Sequence, residues 1–459
     1  MEKRIHIVGA GLAGSEAALQ LAARGRRVVL HEMRPAQKTE VHKTGDCAEL
    51  VCSNSLKGTR EDSAPGMLKH ELSMLGSCLY RIAQECSVPA GGALAVDRER
   101  FSQAVTAAIE DDGNIELERG EVRSLAELDD AAAIILATGP LTSMALSHEI
   151  EKLTGSDHLA FYDAAAPIVM ADSLDMEKVF RQSRYEQAAD QGLETGDYLN
   201  APFTREEYDA FIDALLAADR VIARDFESKE LFQACQPIEE IARAGHDAPR
   251  FGPLKPVGLT DPTTGRRPWA AVQLRAENKM GTSYNLVGFQ TNLKFAEQER
   301  VFRMIPGLEH AEFARFGVMH RNTFVDAPRL LDRNLHVLPE FTEGLQAPVF
   351  IAGQLGGTEG YCEAIRSGLH TAIAATALLC GIKAPMLPVE TAFGALLAYA
   401  TDPNVKDYQP MHVNFGILPP LDPPVRNKRE RYRAYAQRGA VALAAYVEEL
   451  AAADLMTNG

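Results

Sequence analysis

The stretch that decides the fold is RIHIVGAGLAGSEAALQLAARGRRVVLHEM, residues 4–33. A β-branched run, Ile5 to Val8, enters Gly9-Ala10-Gly11-Leu12-Ala13-Gly14; a helix carrying Ala17, Leu19 and Leu21 follows, and Val28 to Leu30 begins a second strand. Strand, glycine turn, helix and strand in that order make a dinucleotide-binding βαβ unit. Gly9 permits the tight turn, Gly11 lets the backbone approach a pyrophosphate, and Gly14 lets helix and strand pack closely, with the helix N-terminus facing the phosphates. Glu32, 23 positions after Gly9, stands where a carboxylate accepts hydrogen bonds from a ribose, and Met33 and Arg34 complete this part of the expected cofactor set.

Outward from this unit, AAAIILATGP, residues 131–140, reads as a buried strand whose Thr138 and Gly139 reach the same edge of the sheet. Between them lies a polar section, residues 34–92, holding ELVCSNSLKG (Glu49 to Gly58) and leading through VPAGGALAVDRERF into a helix over Asp97 to Ile109 and a strand in NIELERGEV. From about 160 to 325 the pattern changes: strand-like PIVMAD and NLVGF alternate with a helix-like EEYDAFIDALLAADRVIA and with loops rich in Pro and Gly. The nucleotide pattern resumes at Ala347, where PVFIAGQLGGTEGYCEAIRSGLHTAIAATALL gives a strand, a second glycine loop and a long helix.

One glycine loop suffices for an NAD dehydrogenase. FAD proteins of the two-loop type use an early GxGxxG for the ADP end and a late strand-Gly-helix for the flavin end, where the helix N-terminus stabilises negative charge. Gly353, Gln354, Thr358, Glu359 and Gly360 fit the late loop, although Gln354 stands where flavoproteins usually carry an acid. The expectation is therefore an α/β fold: a two-loop, FAD-binding, doubly wound Rossmann-like domain built discontinuously from residues 1–160 and 326–459, with an inserted α+β substrate domain over 161–325.

Composition bounds the function. With 459 residues, 46% hydrophobic, the chain has enough apolar side chains for a large core divided into two or three domains. A net charge of -16, from 47 basic and 63 acidic residues, excludes blanket binding to nucleic acid or membranes, so any RNA contact must be a local basic patch. Seven cysteines without a Cys-x-x-Cys pair point to reduced thiols and a cytoplasmic location. The glycine-broken start does not read as a signal peptide, no 18-residue apolar run suggests a membrane span, and no Cys/His pairs at ligand spacing suggest a metal.

Six segments in order, GAGLAGSEAA with EMRP, ELVCSNSLKG, VPAGGALAVDR, ATGPLTS, FQACQPIEE and AGQLGGTEGYCEA, resemble the folate- and FAD-dependent tRNA uracil-5-methyltransferases, the TrmFO family. The similarity runs over essentially the whole chain, and AGQLGGTEGY matches that branch where other flavoproteins carry an acid. What the resemblance implies is transfer of a one-carbon unit from 5,10-methylenetetrahydrofolate to C5 of the T-loop uridine, position 54 of tRNA, with NAD(P)H reducing the flavin. The implied partners are tRNA, folate and a nicotinamide dinucleotide, with no membrane and an expected monomer.

Uracil C5 is a poor nucleophile until a thiolate adds at C6, so the chemistry asks for an activated cysteine and a general base. By resemblance, Cys235 in FQACQPIEE is the thiolate that adds to C6, and Cys52 assists on the flavin and methylene side; residue type alone favours a small buried hydrophobe for either, and the motif context reverses that. Cys47, Cys78, Cys86, Cys362 and Cys380 read as packing residues. His320 in FGVMHRNTF resembles a histidine near the pterin, Asn292 in FQTNLKF and Asn54 are further substrate candidates, and Lys57 reads equally as a solvated lysine. For the RNA, VRNKRERYRAYAQR, residues 425–438, offers Arg426, Lys428, Arg429, Arg431 and Arg433 for phosphates, with Tyr432 and Tyr435 interleaved for stacking on bases. A solvated helix face accounts for the same run. GRRPW, with Arg266, Arg267 and Trp269, is a second basic candidate. Two other functions compete: the related wobble-uridine tRNA-modification flavoproteins, and an RNA-binding protein in which FAD is only structural.

Overall fold

The structure, a computed structural model, describes residues 3–37, 39, 41–154, 159–164, 166–184, 197–221, 236–278, 280–317, 319–405 and 408–457. The chain opens with β1 (Arg4–Val8), α1 (Leu12–Ala23) and β2 (Val28–Glu32). The polar section folds as β3 (Ser55–Gly58), α2 (Ala64–Met74), α3 (Cys78–Glu85), β4 (Ser87–Val88), β5 (Ala93–Val96) and α4 (Arg98–Glu110). Its helices start where the sequence supplies caps: the side chains of Ser63, Ser77 and Asp97 accept from the backbone N–H of Gly66, Tyr80 and Arg100. β6 (Ile115–Arg119), β7 (Ala131–Leu136) and α5 (Met144–Thr154) follow.

The middle of the chain holds β8 (Leu159–Ala164), β9 (Ile168–Met170), β10 (Phe180–Arg181), β11 (Tyr198–Phe203), α6 (Arg205–Ala217), α7 (Ile238–Ala244), β12 (Ala270–Ala276), β13 (Ser283–Leu286), α8 (Phe295–Phe302), β14 (Phe313–Arg315) and β15 (Met319–Phe324). The last part adds α9 (Ala327–Leu330), β16 (Val349–Ile351), α10 (Tyr361–Leu379), α11 (Ala392–Ala400) and α12 (Lys428–Ala452).

Five strands form a parallel sheet in the order β16-β7-β1-β2-β6, with Ile7 opposite Leu30 and Ile135, and Ile351 opposite Leu136. β1, β2, β7 and β16 are largely apolar and buried, as a helix-covered parallel sheet requires, while the edge strand β6 has no buried residue. The chain leaves β1 toward β2 on one side and β7 and β16 lie on the other, so the order reverses between β1 and β7; ligands of such sheets bind at the carboxyl edge of that switch point. α1 and α10 cross with backbones almost touching: a Cβ on Gly368 would lie 2.1 Å from the Ala13 carbonyl oxygen. The apolar core around this sheet draws on Ile5 to Ile150 and Phe324 to Leu455. A separate core, Ala166 to Ala311, lies under an antiparallel sheet ordered β10-β11-β12-β13-β9-β14.

One element is shorter than its sequence suggests. The helix expected to reach residue 223 ends at Ala217, after a capping box between Thr204 and Glu207 starts it. Ala218 turns extended, because Arg220 pairs as a bridge with Leu293 and the Asp219 carbonyl accepts from Lys294 N. Among the described residues, no helix is long and apolar enough to cross a membrane, and no group of three His, Cys, Asp or Glu side chains is placed to hold a metal.

Candidate active site

The loops that follow β1, β7 and β16 meet at one edge of the parallel sheet. Gly9 has φ of +102°, and a Cβ there would meet the Ala137 carbonyl oxygen at 2.7 Å; one on Gly14 would lie 1.9 Å from the Gly9 oxygen. Only glycine fits either place. At Gly11 nothing lies within 4 Å of the Cβ position, so this backbone faces open space with room for a pyrophosphate. The cavity beside it is lined by Gly11, Glu32, Arg34, Thr138 and Thr142.

Glu32 closes that cavity as a fixed carboxylate. Its Oε2 accepts from Ala10 N at 3.1 Å, and Arg34 donates to Oε1 from Nε at 2.9 Å. Burial works against its charge, yet the hydrogen bonds and positive charge of Arg34 outweigh it and hold the Glu32 pKa below its usual value. Arg34 is itself buried and also reaches Glu49 at 3.2 Å, so its guanidinium shapes the pocket from within and is not presented to a phosphate. Met33 lies between them in the cavity wall, and Leu12 and Ala13 begin α1.

The second loop has the features of a ligand cradle. Gly353, Gly357 and Gly360 have φ of +76°, +86° and +113°, and a Cβ on Gly360 would collide with Glu363 Oε2. Gln354 Nε2, Thr358 Oγ1 and Glu363 Oε2 are buried and meet no hydrogen-bond partner among the described residues. Buried orphan donors and acceptors at a helix N-terminus are what a polar ring system such as an isoalloxazine would satisfy. Lys57, read from sequence as equally well solvated, instead pairs with Glu363 at 3.2 Å beneath Gly360. Glu359 is buried, and its backbone N donates to the Met411 carbonyl, so residues 408–413 cover this loop.

The cysteine loop meets this second helix. Cys52 N and Ser53 N donate to the Tyr361 hydroxyl at 2.9 and 3.1 Å, and Tyr361 is the first residue of α10. Burial first, and then the neighbouring Cys52 thiol, raise the Tyr361 pKa, so it remains a neutral hydroxyl. Three guanidiniums hold the rest of the loop. Arg98 donates to the Leu50 carbonyl, Arg315 to those of Val51 and Cys52 at 2.9 and 3.2 Å, and Arg275 to Ser53 Oγ at 2.8 Å. Arg98 is in turn paired with Glu277. Arg275 and Glu277 flank the end of β12 and Arg315 ends β14, so the antiparallel sheet grips the loop that carries Cys52.

The candidate residues fare differently. Asn54 is fully buried; its Nδ2 donates to the Val96 and Ala276 carbonyls, and its Oδ1 accepts from Arg275 Nε at 2.7 Å. It is a rivet between β5 and β12, and its amide has no donor left for a substrate. Asn292 is buried, and its backbone N donates to Glu239 Oε1 at 2.6 Å. Glu239 also accepts from Thr291 Oγ1, and burial pushes its pKa up to about 7. Cys235 lies outside the described residues. His320 sits on β15 with its backbone opposite Asp163. Cys47, Cys86 and Cys362 are buried and Cys78 partly so, but Cys380, read as a packing residue, is exposed at the end of α10, where the chain leaves the core.

On α12, Arg426 just ahead of the helix and Lys428, Arg429 and Arg433 are exposed, while Arg431 is partly buried. Of the interleaved tyrosines, Tyr435 is buried and Tyr432 partly so. Tyr432 and Tyr435 lie 4.2 and 5.5 Å from the Phe415 ring, and both pack against it. The residues the sequence reading missed, Tyr361, Arg98, Arg275 and Arg315, act across 48 to 309 positions of chain.

Residues 4–383 match the family described as glucose inhibited division protein A. The chain is 51% identical over 448 residues to the methylenetetrahydrofolate–tRNA-(uracil-5-)-methyltransferase TrmFO of Symbiobacterium thermophilum, covering 97% of each chain. To the protein of the same name from Halalkalibacterium halodurans it is 46% identical over 446 residues, 97% of this chain and 99% of that one. Among solved structures, Aquifex aeolicus GidA in its form I crystal superposes with a TM-score of 0.67 at 16% identity, over 98% of this chain and 78% of that one, a likeness of fold alone. The chain belongs to the glucose inhibited division protein A family, in its TrmFO branch.

Proposed function

We propose that the protein methylates C5 of the T-loop uridine of tRNA, taking the carbon from 5,10-methylenetetrahydrofolate and using FAD reduced by NAD(P)H. The observation that carries this reading is the docking of the Cys52 loop, through Tyr361, on the N-terminus of the helix behind the second glycine loop. A cysteine held at the flavin end of a two-loop site is what a folate-dependent uracil methylation needs and an FAD-binding scaffold does not. When bound, FAD supplies the hydride that completes the methyl group.

The chain's own residues divide the remaining work. Gly11 and the N-terminus of α1 bind the pyrophosphate, Glu32 the ADP ribose, and Gly353 with Gln354, Thr358 and Gly360 the flavin end. Cys235 adds to uracil C6, which makes C5 nucleophilic toward the methylene carbon; loss of the C5 proton and elimination of the folate amine then leave an exocyclic methylene, and its reduction to methyl expels the Cys235 thiolate from C6 and restores the C5–C6 double bond. Cys52 serves the flavin and methylene side, and His320 and Asn292 lie on the substrate side. Arg426, Lys428, Arg429 and Arg433 contact tRNA phosphates.

The test is direct. FAD-loaded protein, given unmodified tRNA transcript, methylenetetrahydrofolate and NADPH, forms 5-methyluridine in the T-loop; no product under these conditions overturns the reading.

A further inference from the structure

We propose that a basic and aromatic cleft at the far end of the antiparallel sheet is a second contact surface for tRNA, acting on binding and not on chemistry. It rests on the tRNA reading above. The cleft encloses about 610 Å³ and is lined by Arg205, Arg250, Lys255 and Arg267 together with Phe251 and Trp269. No carboxylate is among its lining residues, in a chain with 63 acidic and 47 basic residues.

The cations are arranged, not scattered. Arg250 lies 3.5 Å from the centroid of the Trp269 ring and donates to the Trp269 carbonyl, while Arg205 stands 5.1 Å from the same ring. These two have acidic neighbours, Asp247 at 3.5 Å and Asp209 at 3.8 Å. Lys255 and Arg267 have none within ion-pair distance among the described residues, and Arg267 is exposed. The four-residue turn over Ala248–Phe251 leaves Phe251 81% exposed, beside Val257 at 41%. Guanidiniums set on an aromatic layer next to an open phenyl ring suit a phosphate backbone with an unstacked base.

Position assigns the role. Trp269 precedes β12 and Arg275 lies one residue before its end, so the cleft lies about 20 Å along the strand from the Cys52 loop. A nucleotide bound there is not the one that reacts. The cleft therefore contributes affinity and orientation, with the source of charge being RNA phosphate.

The experiment compares tRNA binding and turnover of the intact, FAD-loaded protein with two variants. One is Arg205→Gln/Lys255→Gln/Arg267→Gln, and the other is Phe251→Ala. A third variant, Arg81→Gln/Arg123→Gln/Lys152→Gln, neutralises three exposed cations elsewhere and serves as the control. Expected are a tRNA affinity lowered about tenfold or more by each cleft variant, and for the triple variant a log affinity against log salt slope shallower by about two. KM for tRNA should rise while kcat at saturation stays within about twofold. Unchanged affinity in both cleft variants, with wild type binding tRNA, overturns the cleft and leaves the function intact; an equal loss in the control does the same. Failure of the wild type to bind tRNA overturns the function reading itself.

Discussion

The Tyr361 hydroxyl accepts from two consecutive backbone amides, Cys52 N at 2.9 Å and Ser53 N at 3.1 Å, tying the cysteine loop to the first turn of α10. Removing that oxygen leaves two amides without an acceptor, at about 1–3 kcal/mol each if they stay dry. The loop will then move. Tyr361→Phe is expected to retain FAD, measured by its visible spectrum, and to lower methylation kcat by about 10- to 100-fold, since a misplacement of an ångström is enough for such a loss. Full activity in this variant contradicts the tether.

Glu32 offers a test of the other end of the cofactor. Glu32→Ala removes an acceptor for the ribose and also leaves Arg34 with Glu49 as its carboxylate partner. Loss of charge-assisted hydrogen bonds worth about 1.5–3 kcal/mol predicts FAD affinity lower by about 10- to 100-fold, read by titration of the apoprotein. Stoichiometric flavin at wild-type affinity would remove Glu32 from the site.

The two cysteines are separable by trapping. With tRNA carrying 5-fluorouridine at the target, the proton at C5 that must leave is absent, so the thiolate adduct accumulates. Cys52→Ala should still form a protein–RNA adduct resistant to denaturant, and Cys235→Ala should not; both should lose methylation by at least about 1,000-fold. An adduct that vanishes with Cys52→Ala and persists with Cys235→Ala reverses the assignment.

The early glycine loop, Glu32, the late glycine loop and the change of pattern after residue 160 were legible because each is a local pattern of glycines and apolar periodicity. What holds Cys52 was not. Arg98 lies in VPAGGALAVDR and Tyr361 in AGQLGGTEGYCEA, both quoted for their motifs, but their roles arise from contacts across 48 and 309 positions. The contacts of Asn54 and the α12 tyrosines were hidden for the same reason. A polar residue in a promising loop and an aromatic in a basic run read as ligands until the partners that occupy them, Arg275 and Phe415, are brought alongside by the fold.

Acid sensitivity follows from His370. Its Nε2 donates to the Arg333 carbonyl at 2.9 Å, and burial, then the charge of Arg366, push its pKa down from 6.5 to about 3. A histidine kept neutral when folded protonates in the unfolded chain first, so stability is complete above pH 6.5 and is lost as pH falls toward 3. The slope from this one group approaches about 1.4 kcal/mol per pH unit. Urea melts from pH 4 to 7 should show a slope shallower by about that amount in His370→Gln; identical slopes would mean that His370 is protonated in the fold.

The origin of the methyl carbon tests the central claim most directly. Unmodified tRNA is incubated with FAD-loaded protein and NADPH, once with methylenetetrahydrofolate labelled in its methylene carbon and once with S-adenosylmethionine labelled in its methyl group. The account predicts label in 5-methyluridine at the T-loop from the folate and none from S-adenosylmethionine. Label from S-adenosylmethionine, or none from the folate, would contradict it.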